Sequence, residues 1–207
     1  MAHFTDLTGL ASIASAAAAA VLLPGIARLS KPLLAILLAA VFLVMLIPIG
    51  GMPIAAYVRG LTGDLSITAL ILLWCAMLRS WFGCVAINPK HRSALLILIA
   101  FAALVLYPLA LGIGAYDPYR LGYGDPQFVV VLLLLALAAW FRRSYLIAVC
   151  IALATLAWAV GWYESGNLWD YLLDPFVSIY ALAAVFIRGV KMCVMAIPAE
   201  IFNRPKG

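Results

Sequence analysis

The residues best suited to chemistry in this chain are carboxylates in two predicted loops. Asp117 and Asp125 lie in one loop, and Glu164, Asp170 and Asp174 lie in the next. Carboxylate oxygens can bind a divalent cation or act as general acid and base. If the chain is an enzyme, the candidate catalytic residues are Asp117, Glu164, Asp170 and Asp174. The simpler interpretation is that these charges are solvated in their loops.

Aromatic side chains accompany the carboxylates. Trp and Tyr collect at headgroup depth in membrane proteins, and rings beside polar groups also suit sugar binding. We therefore predict substrate or partner contacts in this part of the chain. The candidate residues are Arg120, Trp162, Tyr163, Trp169 and Tyr171.

A third candidate region is the sequence IPIGGMP at residues 47–53, which interrupts an apolar segment. Proline removes a backbone donor and glycine permits unwinding. Transporters bind substrates and ions at such broken helices, so the candidate binding residues here are Pro48, Gly50, Gly51 and Pro53. The simpler interpretation is a kink near one membrane surface, because the segment is longer than a straight crossing.

Residues 122–125, Gly-Tyr-Gly-Asp, resemble the core of a potassium-channel selectivity filter. Such a filter is built from successive backbone carbonyls and begins with Thr-Val, whereas Arg120 and Leu121 occupy those positions here. We therefore predict a glycine-rich turn in which Asp125 caps a helix that begins at Pro126.

The cysteines and histidines exclude several cofactor classes. The four cysteines, which form no C-x-x-C pair, are Cys75, Cys84, Cys150 and Cys193. Their apolar setting disfavours disulfide chemistry. His3 and His91 are too far apart in the predicted topology to share a haem or zinc ion. Lys191 lies at the end of the last apolar segment, which excludes a retinal Schiff base. We predict no cofactor and no metal.

Seven apolar segments must position these residues. Hydrophobic residues make up 68% of the chain and charged residues 10%, which is far from the composition of soluble domains. A membrane crossing needs about 20 apolar residues. The predicted segments are 8–27, 33–58, 65–87, 93–115, 126–141, 144–163 and 172–190. The expected fold is an all-α polytopic transmembrane bundle over residues 1–190, followed by a cytoplasmic interfacial amphipathic tail over 191–207.

The charges predict the orientation of this bundle. Short loops rich in Lys and Arg stay in the cytoplasm, and the two sets of segment ends differ sharply in charge. One set holds Arg28, Lys31, Arg79, Lys90, Arg92, Arg142, Arg143, Arg188, Lys191, Arg204 and Lys206, and the other holds Asp6, Asp64, Asp117, Asp125, Glu164, Asp170 and Asp174. The N-terminus is therefore expected outside and the C-terminus inside, as a multi-pass protein of a bacterial inner membrane. Segment 1 is alternatively an export signal, but it lacks a basic start.

Three functional classes fit this sequence. The first is a non-catalytic membrane subunit of a cell-envelope assembly or transport complex, whose partners are membrane lipids and other membrane subunits. The second is a small transporter, channel or lipid flippase that uses the broken second segment. The third is a membrane enzyme acting on lipid-linked or glycan substrates through the external carboxylates. Topology explains the net charge of +5, so we do not expect nucleic acid as a partner.

Overall fold

A computed structural model describes residues 4–22, 30–82 and 87–195. These residues form nine α-helices, together with two short strands and one 3-10 helix. The helices are α1 (Phe4–Leu22), α2 (Lys31–Met45), α3 (Ile54–Thr62), α4 (Ile67–Phe82), α5 (Pro89–Ala110), α6 (Pro126–Phe141), α7 (Tyr145–Ala159), α8 (Leu168–Leu172) and α9 (Pro175–Met195). The strands are β1 (Pro48–Ile49) and β2 (Met52–Pro53), and the 3-10 helix is Pro118–Gly122. The predicted all-α class is confirmed.

The helices pack around two apolar cores. The larger core joins α5, α6, α7, α8 and α9, with α4 against its side. The smaller core joins α1, α2 and α4 through Ala19, Leu34 and Met77. Helix α4 contacts both α1 and α7, and it therefore connects the two cores.

Within the described ranges, two helices, α5 and α9, are long and apolar enough to cross a membrane. Five shorter apolar helices accompany them, corresponding to α1, α2, α4, α6 and α7. These seven helices overlap the seven predicted segments, and residues 126–141 match α6 at both ends.

The predicted kink in the second segment is wrong. Helix α2 ends at Met45, and a β-hairpin pairs Pro48 with Pro53 before α3 begins. Gly50 and Gly51 both have positive φ, at 60° and 94°, which is the conformation that the two central residues of a type I′ turn need. The Gly-Gly pair therefore reverses the chain after the helix has ended.

Some sequence predictions concern residues near the ends of the described ranges. The boundary expected at residue 190 falls inside α9, which continues to Met195. Residues 196–207 lie outside the described part of the chain, so the interfacial tail stays a prediction. His3 and Cys84 also lie outside it, whereas Cys75, Cys150 and Cys193 are free thiols.

Candidate functional site

The polar cap is the end of the bundle formed by residues 6–9, 54–66, 111–125 and 160–174. It contains the predicted carboxylates and aromatic residues. The basic end is the opposite end, formed by residues 30–31, 79, 87–92, 142–144 and 188–191. The two ends use their polar groups differently.

Asp174 is the most deeply buried carboxylate of the polar cap, with 4% exposure. One of its oxygens accepts hydrogen bonds from the Ser66 backbone N–H at 3.0 Å and the Ser66 hydroxyl at 2.6 Å. The other accepts from the Val177 N–H at 2.8 Å, which satisfies an orphan donor in the first turn of α9. Asp174 therefore fastens the start of α4 to the start of α9.

Asp170 connects the two loops on which the predicted site rests. Its oxygens accept from the Tyr119 hydroxyl at 2.9 and 3.0 Å and from the Ser165 hydroxyl. Burial, followed by the charge of Asp170, raises the pKa of Tyr119. The phenol therefore stays protonated and keeps donating to the carboxylate at neutral pH.

Asn167 joins the same two loops without charge. Its side chain is fully buried, donates to the Tyr119 carbonyl at 2.9 Å, and accepts from the Trp169 N–H at 2.9 Å. The backbone of Gly122 lies so close that a Cβ there would collide with the Asn167 amide and the Trp169 ring. The glycine therefore permits the close approach of the loops.

The Gly-Tyr-Gly-Asp sequence forms the predicted turn. Gly124 has a φ of 89°, and the Asp125 carboxylate accepts from the N–H groups of Gln127 and Phe128 at 2.8 and 3.1 Å. Pro126 is the first residue of α6. Asp117 caps the 3-10 helix in a similar way, accepting from the Tyr119 N–H at 3.0 Å.

The aromatic residues of the predicted site are also bound into the cap. The rings of Tyr163 and Tyr171 stack with centroids 5.1 Å apart. The Tyr171 hydroxyl accepts from the Tyr163 N–H and donates to the Ser165 carbonyl, both at 3.0 Å. The Trp169 indole donates to the Pro118 carbonyl at 3.0 Å. These rings hold the loops in place.

Trp162 and Tyr163 connect the loop to α1. The Thr8 hydroxyl of α1 donates to the Trp162 carbonyl. The Tyr163 hydroxyl is buried, and no described residue gives it a hydrogen bond of good geometry. Burial raises the pKa of Tyr163 to about 12, although the nearby Ser12 hydroxyl opposes part of that rise.

One charged cluster in the cap was not predicted from the sequence. Arg59 on α3 forms a two-point ion pair with Asp64, with N–O distances of 2.6 and 2.8 Å. Its guanidinium also lies 3.4 Å from Glu164 and 3.7 Å from Asp6. The Arg59 side chain is only 15% exposed. The sequence did contain one signal for this cluster, because Arg59 is one of two basic residues at the acidic ends of the predicted segments.

The remaining candidate residues lie apart from this cluster. Arg120 is exposed in the 3-10 helix. Pro48, Gly50, Gly51 and Pro53 form the hairpin, which the Tyr57 hydroxyl ties to α3 by donating to the Ile49 carbonyl at 2.8 Å.

The predicted carboxylates therefore do not surround one common cleft. Asp117 and Asp125 cap helices, Asp170 and Asp174 fasten different elements, and Glu164 faces Arg59. Among the described residues, no group of three His, Cys, Asp or Glu side chains could hold a metal ion.

A second candidate site extends from the cap, where Val58, Thr62 and Leu65 line it, to the basic end. A groove of about 700 Å³ runs between α1, α4 and α9, and Arg79 and Arg92 line it at the basic end. We call it the α1/α4/α9 groove. A smaller apolar cavity of about 310 Å³ lies among α5, α6 and α7.

No protein-family model matches this sequence, and no significant match was found among curated proteins or solved structures.

Proposed function

We propose that this chain is a seven-crossing integral protein of a bacterial inner membrane, and that it serves as a non-catalytic subunit of a cell-envelope assembly or transport complex. The proposal of a non-catalytic subunit rests on the roles that the side chains of the polar cap have. Its carboxylates and aromatic rings cap helices and fasten loops, which are structural tasks. A cap of this kind stabilises the fold of the chain without supplying a reaction centre.

The exposed apolar surface supports the membrane location. Only 33% of the most apolar stretch of α5 and 17% of that of α9 is buried. Phe101, Leu104 and Phe186 are each more than 60% exposed. Water-soluble monomers rarely expose contiguous apolar surface on this scale, whereas lipid tails cover it without cost.

The lengths of the shorter helices fit a crossing when the cap is included. Helices of 15 or 16 residues, such as α2, α6 and α7, rise about 24 Å at most, which is less than the roughly 30 Å hydrocarbon core. The hairpin, α3 and α8 lie at one end of these helices and extend the bundle toward that surface. Modest bilayer thinning covers the remaining mismatch.

The charge distribution supports the orientation. The basic end carries the Lys and Arg residues that favour retention in the cytoplasm, and the polar cap carries the acidic residues. We therefore assign the cap to the outside. Cysteine labelling in a cysteine-free background tests this assignment, with Tyr116→Cys in the cap and Arg143→Cys at the basic end, both exposed positions. An impermeant reagent added to intact cells should modify the first and spare the second.

Neither alternative function gains equal support. The broken second segment satisfies its backbone locally, because the N–H of Ile54 donates to the Ile47 carbonyl at 3.2 Å and the hairpin pairs internally. It therefore offers few unsatisfied groups to a substrate. The outer carboxylates, proposed as catalytic in the enzyme hypothesis, are divided among separate structural contacts.

Purification from the native membrane in a mild detergent tests the subunit proposal. We expect a stoichiometric membrane partner in the purified complex. A chain ending after Met195 keeps α9 whole and removes only the tail, so it shows whether residues 196–207 carry the association. A pure monomer or homo-oligomer from the full chain would contradict the proposal.

A further inference from the structure

The α1/α4/α9 groove is apolar along most of its length and basic at one end. Leu72, Leu73 and Ala76 of α4 form one wall, and Phe176 and Val177 of α9 form another. Its volume of about 700 Å³ lies within the roughly 300–1,000 Å³ of typical small-molecule sites. The groove is therefore large enough to hold a ligand with a long apolar portion.

Small residues on α1 keep this groove open. Ala16, Ala17 and Ala20 face it, and an alanine side chain leaves the space that a leucine would fill. Along α4, the lining extends from Ala69 to Arg79, which corresponds to about 15 Å of helix rise. The opening is thus elongated along the helix axes, as an acyl chain requires.

Two arginines lie at the basic end of the groove. Arg79 belongs to the last turns of α4, and Arg92 belongs to the first turn of α5. The Arg92 guanidinium donates to the Tyr180 hydroxyl and lies 5.9 Å from the centre of that ring. Among the described side chains, the ion pairs all belong to Arg59, so neither arginine of the groove has a carboxylate partner there.

We propose that the α1/α4/α9 groove binds one anionic glycerophospholipid, with its phosphate between Arg79 and Arg92 and an acyl chain along the alanines of α1. This proposal rests on the membrane location proposed above. The arginines then lie at the depth of the cytoplasmic headgroups, where anionic lipids attract basic side chains. Guanidinium groups bind phosphate oxygens through paired hydrogen bonds. The Tyr180 hydroxyl, next to Arg92, adds a third polar group at the same end.

Charge complementarity favours a lipid over an apolar helix of a partner protein. A partner helix in this groove would bring its apolar side chains against two arginines and would need an acid of its own at that depth. An anionic lipid supplies an apolar chain and a negative headgroup in one molecule.

Native mass spectrometry of the full chain in mild detergent tests the proposal. The protein is titrated with dioleoyl phosphatidylglycerol and, separately, with dioleoyl phosphatidylcholine. We expect the first phosphatidylglycerol to bind at least about tenfold more tightly, because each arginine contributes on the order of fivefold. The double variant Arg79→Gln/Arg92→Gln should bind the two lipids equally.

Two further variants separate the charge from the shape of the groove. Ala17→Leu should fill the groove and weaken the binding of both lipids on the order of tenfold. The matched controls are Arg142→Gln, which removes a charge elsewhere at the basic end, and Ala40→Leu, which adds the same side chain on the exposed face of α2. Both controls should bind as the unaltered chain does.

The proposal is overturned if the unaltered chain binds both lipids equally, or if Arg142→Gln has the same effect as the double variant. The charge variants test the proposal even if Ala17→Leu fails to fold, because Arg79 and Arg92 are exposed. A carbonate wash of the membranes separates the two proposals. A chain released by the wash contradicts the membrane location and the lipid site together. An embedded chain without lipid selectivity contradicts only the lipid site.

Discussion

The polar cap and the basic end use similar polar residues for opposite purposes. In the cap, buried side chains such as Asp174 and Asn167 bond to elements that are distant in sequence. At the basic end, the described arginines and lysines are exposed. The described contacts between elements there include the one between His91 and Ser144 at 3.0 Å and the one between Arg92 and Tyr180. The described polar residues of the cap therefore mainly fasten elements of the fold to one another, whereas the described basic side chains at the other end lie on the surface.

Asp174→Ala is the variant for which we expect the largest effect in a test of this comparison. The substitution leaves the Ser66 N–H and hydroxyl and the Val177 N–H without their common acceptor inside the fold. Such losses predict a decrease of about 3 kcal/mol in the free energy of unfolding. This decrease is measured by unfolding the protein with sodium dodecyl sulfate in mixed micelles. Asp117→Ala, which removes one bond to the Tyr119 N–H, should cost about 1 kcal/mol. Equal losses of unfolding free energy in the two variants would show that Asp174 has no special role in the cap.

A second test concerns the close approach of the two loops in the cap. Gly122→Ala places a methyl group where the Asn167 amide and the Trp169 ring now lie. We expect a loss of about 2 kcal/mol, as for other overpacked sites. Gly166→Ala is the control in the same cap, because its new Cβ would meet no atom within 4 Å. The control should stay within about 0.5 kcal/mol of the original chain. If Gly122→Ala matches the control, the loops do not interlock as described.

The two ends can also be compared directly by removing arginines. Arg59→Gln in the cap leaves Asp6, Asp64 and Glu164 without their shared cation, so we expect a loss of about 1.5 kcal/mol. Arg142→Gln at the basic end and Arg120→Gln in the cap remove the same charge from exposed positions. Both should change stability by less than about 0.5 kcal/mol. A large loss from Arg142→Gln would contradict the proposed division of roles.

The smallest expected effect concerns pH. A hydrogen bond with Asp6 is the main cause of a raised pKa at Glu164, and Arg59 acts in the opposite direction. A carboxyl group whose pKa is higher in the folded state stabilises the fold below its ordinary pKa. That stabilisation is lost as the pH rises through the folded value. Glu164→Gln should therefore weaken the decline in stability as the pH rises above about 4.5. The effect is small because the Glu164 side chain is 60% exposed, and Asp6, Arg59 and Asp64 are the charges that face it.

The pH profiles of the original chain and of Glu164→Gln are compared in the same buffers by thermal unfolding. Parallel profiles would show that Glu164 and Asp6 do not share a proton. In that case the Arg59 cluster acts only through ion pairs.

The hairpin at residues 48–53 shows how far local signals reach. A Gly-Gly pair between apolar residues is a signal for a two-residue β-hairpin, but the surrounding apolar run favoured one long helix with a kink. The cap of Asp125 on α6 was predicted correctly, because the acid, the proline and the helix they begin are neighbours in sequence. Local chemistry therefore determined the cap on α6, whereas competing local signals obscured the hairpin.

The sequence by itself determined the all-α class, the approximate positions of seven apolar helices and the separation of acidic from basic ends. Each of these follows from composition or from residues within a few positions of one another. Only the tertiary structure decided that Asp174 meets Ser66, 108 residues away, that Asn167 packs against Gly122, and that three acids surround Arg59. The alanines of α1 likewise line a groove only because α4 and α9 lie opposite them. Partners that are distant in sequence are selected by how the helices pack together, and no short stretch of sequence contains that arrangement.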